Sequence, residues 1–64
     1  MKLIYRVSPN GSVRVWREDW FGDQFETFSE KAFAVLRRNE ASQRGIFTIS
    51  DDTPVEFVEA SEED

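Results

Sequence analysis

The sequence predicts an α+β domain: two β-hairpins forming a small antiparallel sheet, with one helix packed on it, in the order ββαββ. Three observations lead there. Apolar and polar residues alternate on both sides of the turn-forming run SPNGS, residues 8–12. Apolar residues recur at helical spacing after Ser29, and alternation returns on both sides of DDTP, residues 51–54. One helix over one face of a small sheet is the simplest way to bury these apolar sets together.

The first hairpin joins KLIYRV to VRVWR. Pro9 presets the first turn angle and Gly11 accepts a positive φ, so a type I turn over Ser8, Pro9, Asn10 and Gly11, with Gly11 as bulge, pairs Ser8 with Ser12. That register sets Val7 opposite Val13 and Tyr5 opposite Val15 on one face. Ile4 and Trp16, then Arg6 and Arg14, share the other. Residues 18–28 read as a linker. Ser29 is the expected N-cap of the helix, with Phe28 and Phe33 placed as a hydrophobic staple, while Thr27 and Glu30 offer a competing capping-box start. Ala32, Phe33, Val35 and Leu36 form the expected buried stripe, and Gly45 is the expected stop. Arg37, Arg38 and Arg44 suit the negative end of the helix dipole. IFTIS and VEFVEA then read as the second hairpin, with Phe47 and Ile49 facing the core beside Val55 and Phe57, and Ser50 near Pro54.

A chain of 64 residues allows one domain, expected over residues 1–60, with an acidic tail at 61–64 expected to be disordered. At this size only about 60% of the unfolded chain's surface is buried, so stability is marginal. No Cys supplies a disulfide, but two Trp, one Tyr and six Phe supply large apolar surface. The expected core is Tyr5, Val7, Val13, Val15, Phe33, Leu36, Phe47 and Phe57. Absence of Cys fits a reducing compartment and no apolar run approaches bilayer length, so a cytosolic protein is expected.

Catalysis finds little support in these residues, and the protein is expected not to be an enzyme. Six Ser have no His to activate them, no glycine-rich phosphate loop occurs, and with neither Cys nor His the usual zinc ligands are missing. Asp51, Asp52 and Glu56 lack the spacing of a calcium loop, and a self-capping turn is the plainer role for the Asp pair. No metal or cofactor is expected.

Charge is the most informative long-range pattern. The net charge of −5 is distributed in blocks of alternating sign. Residues 1–17 carry Lys2, Arg6, Arg14 and Arg17 and no acid; residues 18–30 carry Glu18, Asp19, Asp23, Glu26 and Glu30 and no base. Residues 31–44 are again basic, and 45–64 hold seven acids and no base. Such blocks commonly pair with one another inside a fold, and Glu56 or Glu59 is a candidate counter-ion for Arg6 and Arg14. The functional reading leaves an acidic block facing a basic partner. Alternate residues of a strand lie about 6.6 Å apart, close to two 3.4 Å rises of a nucleic-acid strand, so carboxylates on one strand face can imitate phosphates. The candidate acidic array is Glu18, Asp19, Asp23, Glu26, Asp51, Asp52, Glu56 and Glu59, with Trp20 as aromatic anchor. The rival site is the outer face of the first hairpin, Lys2, Arg6, Arg14 and Trp16, whose basic and aromatic side chains are the ingredients of a single-strand nucleic-acid platform. The overall negative charge argues against direct nucleic-acid binding.

In length, acidity, lack of Cys, aromatic content and strand–helix layout the whole chain resembles phage-encoded inhibitors of host machinery, including anti-CRISPR proteins and DNA mimics. The resemblance is one of profile. Those proteins share no common signature, so it assigns no residue a role. It implies stoichiometric binding, by mimicry or occlusion, to a basic nucleic-acid-binding protein such as a CRISPR effector subunit, in the host bacterial cytosol, by a monomer or homodimer. A small adaptor domain with an unrelated protein partner is the alternative.

Overall fold

The computed structural model describes residues 1–22 and 24–60. Strands β1 (Lys2–Val7) and β2 (Ser12–Arg17) form the first hairpin in the expected register, with Tyr5 opposite Val15 and Arg6 opposite Arg14. The turn closes as its chemistry requires. The Gly11 N–H donates to the Ser8 carbonyl (3.0 Å), the Ser8 N–H donates to the Ser12 carbonyl (2.8 Å), and Gly11 adopts φ 92°. Asn10 Oδ1 accepts from both the backbone N–H and the hydroxyl of Ser12, which fixes the bulge.

The fold is mixed α+β, but it is not two hairpins with one helix. Part of the expected linker is a third strand, β3 (Glu26–Ser29), paired antiparallel with β2. Helix α1 (Glu30–Arg38) starts where Ser29 Oγ accepts from the Ala32 N–H at 3.1 Å, so Ser29 rather than Thr27 is the N-cap. The helical stretch then breaks at Asn39, which ends α1 and caps α2 (Glu40–Phe47) through its side chain, accepting from the Ser42 N–H at 3.2 Å. Gly45 lies inside α2 and does not stop it. The stop is Thr48, in the left-handed region at φ 56°.

The second hairpin is absent from the described residues. Ile46 and Phe47 belong to α2, and β4 (Glu56–Glu59) pairs parallel with β1, Leu3 opposite Phe57 and Tyr5 opposite Glu59. The sheet order is β3-β2-β1-β4, so the chain leaves one edge after β3, crosses as α1 and α2, and returns at the other edge. A tight turn, Thr53 N–H to Ser50 carbonyl at 3.2 Å, leads into β4 without joining two strands.

Both helices pack on one face. The core is Leu3, Val13, Val15, Phe33, Leu36, Phe47 and Ile49, with Tyr5, Trp20, Phe28, Val55 and Phe57 half-buried against it. Val7, expected inside, is exposed because it sits at the hairpin end beyond the helices; Leu3 at the opposite end takes its place. Ala32 and Val35 are also exposed: α1 buries the narrow stripe of Phe33 and Leu36, and at about 100° per residue Val35 lies well round the helix from it. Gln43 is the buried polar residue of the core; its Nε2 donates to the Leu36 and Arg37 carbonyls at the end of α1.

Candidate functional site

Alternation along the strands sorts the charged residues. Leu3, Tyr5, Val13, Val15, Phe28 and Phe57 face the helices, so Lys2, Ile4, Arg6, Arg14, Trp16, Thr27, Glu56 and Val58 share the open face. Glu26 and Glu59 lie on the helix side of the two edge strands. The proposed ladder of acids therefore does not form on β4: Glu56 and Glu59 are three residues apart and take opposite faces.

Five of the eight predicted acids do come together, at the end of the sheet where β1 and β4 begin and β2 ends. The Glu18 N–H donates to the Lys2 carbonyl (3.0 Å), and Glu18 Oε2 accepts from the Lys2 N–H (3.3 Å). The Glu56 N–H donates to the Met1 carbonyl (3.0 Å), and the Met1 ammonium donates to the Pro54 carbonyl (2.6 Å). Arg17 holds Asp19 in a two-pronged ion pair, Nε to Oδ1 at 3.0 Å and Nη2 to Oδ2 at 2.9 Å. Its Nη1 also donates to the Phe47 and Thr48 carbonyls, which brings the 50–54 turn, with Asp51 and Asp52, to this pole. Asp52 accepts from the Ser50 hydroxyl at 3.1 Å, a side-chain contact within the turn.

Glu26 stands apart on β3, three strands from β4, roughly 14 Å at ordinary strand spacing. Asp23 and the tail 61–64 lie outside the described residues. Trp20, the expected anchor, is half-buried against Phe47 with ring centroids 5.7 Å apart. Phe21 is the more exposed aromatic of this stretch, 81% accessible against 39% for Phe25. The helix–strand alternation that would have separated Trp20 from Phe21 is missing in a loop, so the sequence held no signal for which of the two is outside.

Neither Glu56 nor Glu59 sits across from the Arg6–Arg14 pair. Glu56 is opposite Lys2, about 13 Å down β1 from Arg6, and Glu59 is on the other face. Among the described residues, the open face carries Lys2, Arg6, Arg14 and Trp16, with Glu56 at its corner. Arg14 lies over the ring of Phe25, 5.1 Å from its centroid, a contact that the reading of residues 18–28 as a linker missed. Arg6, Arg14, Trp16, Trp20, Gly22, Gln24 and Phe25 line a cleft of about 260 Å³ there. No group of three or more metal-ligating side chains occurs among the described residues, and no helix among them is long and apolar enough to cross a membrane. No family model matches this chain, and no curated protein or solved structure is significantly similar to it.

Proposed function

We propose that this protein acts by binding, as a stoichiometric blocker of a basic, nucleic-acid-handling protein, in the manner of an anti-CRISPR inhibitor. The observation that carries the reading is the acidic pole: Glu18, Asp19, Asp51, Asp52 and Glu56 are held toward one end of the sheet, and the exposed Phe21 follows Asp19 by two residues in the chain. Arg17 and Arg44 lie nearby but are engaged, Arg17 with Asp19 and two carbonyls, Arg44 with Glu40 and the Ser50 carbonyl. A cluster of carboxylates suits a positively charged surface, with steering from the charges and residence time from an exposed ring such as Phe21. Occlusion fits better than mimicry, because the acids cluster at a pole instead of repeating along one strand face.

The test is capture from nuclease-treated bacterial lysate, with Asp51, Asp52 and Glu56 reversed together to Lys and, separately, Phe21→Ala. Both variants should retain the wild-type melting temperature and lose a partner that itself binds nucleic acid. Wild-type capture should weaken between low and high salt, because the Debye length contracts from about 30 Å at 0.01 M to about 3 Å at 1 M. Unchanged capture by both variants would sink the proposal, and a captured partner with no nucleic-acid role would turn it into the adaptor reading.

A further inference from the structure

The two edges of the sheet are not alike. On its helix side β3 borders an apolar cleft of about 290 Å³, lined by Phe28, Ala32, Val35, Leu36, Ser42 and Ile46. Val35 on α1 is 55% accessible there and Ile46 on α2 is 40%. The strand edge beside the cleft is open as well. In the first hairpin the Ser8 N–H donates to the Ser12 carbonyl and the Glu18 N–H to the Lys2 carbonyl. Even-numbered residues along β2 therefore turn their backbone groups toward β1, and odd-numbered ones turn theirs toward β3. Val13 and Val15 hold Phe28 and Glu26, so the N–H and carbonyl of Thr27 point away from the sheet. We infer that a second copy of this chain docks at this edge, β3 against β3 in antiparallel about a two-fold axis, with the start of its α1 covering the cleft beside Ile46.

Three observations select a second copy. The first is direction. β3 runs from Glu26, at the end of the sheet where Arg17 holds the close of α2, to Ser29, where α1 begins. A two-fold axis reverses that direction, so Ala32 and Val35 of each copy meet Ser42 and Ile46 of the other. The second is charge. Glu26 shares the helix side of β3 with Phe28, about 6.6 Å along the strand. Lys31 and Arg38 flank Val35, one helical turn to either side. The patch is thus acidic on one side and basic on the other, and the same reversal turns each copy's Glu26 toward the other's Lys31. None of the three belongs to the ion pairs of the described residues, Arg17–Asp19 and Arg44–Glu40.

The third is closure. A two-fold contact at β3 joins two four-stranded sheets into one whose outer edges are both β4, so the pair grows no further. A foreign strand would find the same backbone groups at Thr27, but nothing in it need match an acid on one side and bases on the other. Ala60, the last described residue, donates its N–H to the Tyr5 carbonyl at the opposite edge of the sheet.

The experiment is sedimentation equilibrium of the full chain from about 10 µM to 1 mM, the range in which modest interfaces dissociate, with amide shifts followed by NMR over the same dilution. Expected are a monomer–dimer equilibrium and dilution shifts centred on Thr27, Phe28, Ala32, Val35 and Ile46. A sample mixing isotope-labelled and unlabelled chains should show contacts between Val35 of one copy and Ile46 of the other. Val35→Glu, at an exposed site, should weaken the dimer at least about tenfold. Thr27→Pro should also weaken it, by removing the outward N–H. Glu26→Lys and Lys31→Glu should each weaken it, and the double variant should recover much of the loss. Reversing Asp51, Asp52 and Glu56 to Lys should not weaken it, which separates this surface from the acidic pole. The inference fails if the chain stays monomeric throughout, which would leave the cleft to a foreign partner. It fails too if dilution shifts map to β4, the open sheet face or the pole, or if folded Val35→Glu dimerises as tightly as wild type. A charge-swapped double variant no better than the single ones would overturn it, as would cleft shifts on deleting residues 61–64, which would make the chain's own end the occupant. Should Thr27→Pro unfold, Val35→Glu and the wild-type contacts decide the matter.

Discussion

The Arg17 guanidinium meets three partners at once: the Asp19 carboxylate and the carbonyls of Phe47 and Thr48. Those carbonyls belong to the end of α2, where the last turn has no intrahelical donors and the dipole is negative, so one side chain locks β2 to the helix. Its two sets of contacts are unequal. Asp19 is 54% exposed, and an exposed ion pair contributes about 0–1 kcal/mol. Arg17→Met, which also removes the carbonyl bonds, should cost about 1–3 kcal/mol, while Asp19→Asn costs under about 1 kcal/mol. Urea titration checks this directly, since equal midpoint shifts for the two variants would mean that the carbonyl bonds add nothing. Gln43 makes the same kind of bond from inside the core. Gln43→Leu should cost about 1–3 kcal/mol, because the buried Leu36 carbonyl loses its donor and the part-buried Arg37 carbonyl loses a second. Neither role was legible in the sequence. Arg17 read as one of a basic block and Gln43 drew no expectation, since their partners are backbone carbonyls that no residue identity announces.

Asn39 decides how many helices there are. It ends α1 with an extended backbone and opens α2 with its side chain, so Asn39→Ala should cost about 1 kcal/mol and reduce far-UV helical ellipticity. Unchanged ellipticity and stability would show that the break is imposed by packing alone. Local chemistry explains which elements were readable. The first hairpin carried its turn, bulge and both faces within sixteen residues, and the helix start carried Ser29 and its staple. The partner of β4 was misassigned because Phe47 and Ile49 match Val55 and Phe57 in parity, while the partner that won, β1, is some fifty residues away. Such a pairing costs loop-closure entropy and leaves no mark on adjacent residues. β3 was missed for a related reason: four residues bordered by a loop give alternation too little length to show.

At the scale of the molecule, an aromatic cluster joins the two halves of the chain. Phe33 packs between Tyr5 and Phe57, with ring centroids 4.9 and 5.7 Å away, and the Arg37 guanidinium lies 5.5–5.6 Å from all three rings. Phe33→Ala should cost about 3–5 kcal/mol, enough to unfold a domain this small; a native-like NMR spectrum for that variant would refute the importance of the cluster. The surfaces followed the same divide as the elements. The face shared by Ile4, Arg6, Arg14 and Trp16 was legible because a hairpin register alone fixes it, whereas the acidic pole depends on where a crossover sets down its far end. The two edges carry a further consequence. β3 and β4 are four residues long, and each places carboxylates at its rim: Glu26 on one, Glu56 and Glu59 on the two faces of the other. A second molecule adding in register to β4 would set like charges about 4.8 Å apart on both faces, a repulsion of just under 1 kcal/mol per pair even in water. These glutamates therefore work as guards against edge-to-edge polymerisation, whatever else the protein binds. Glu56→Thr combined with Glu59→Thr should leave the monomer folded yet let it assemble into thioflavin-positive fibrils on prolonged incubation, where the parent chain stays dispersed.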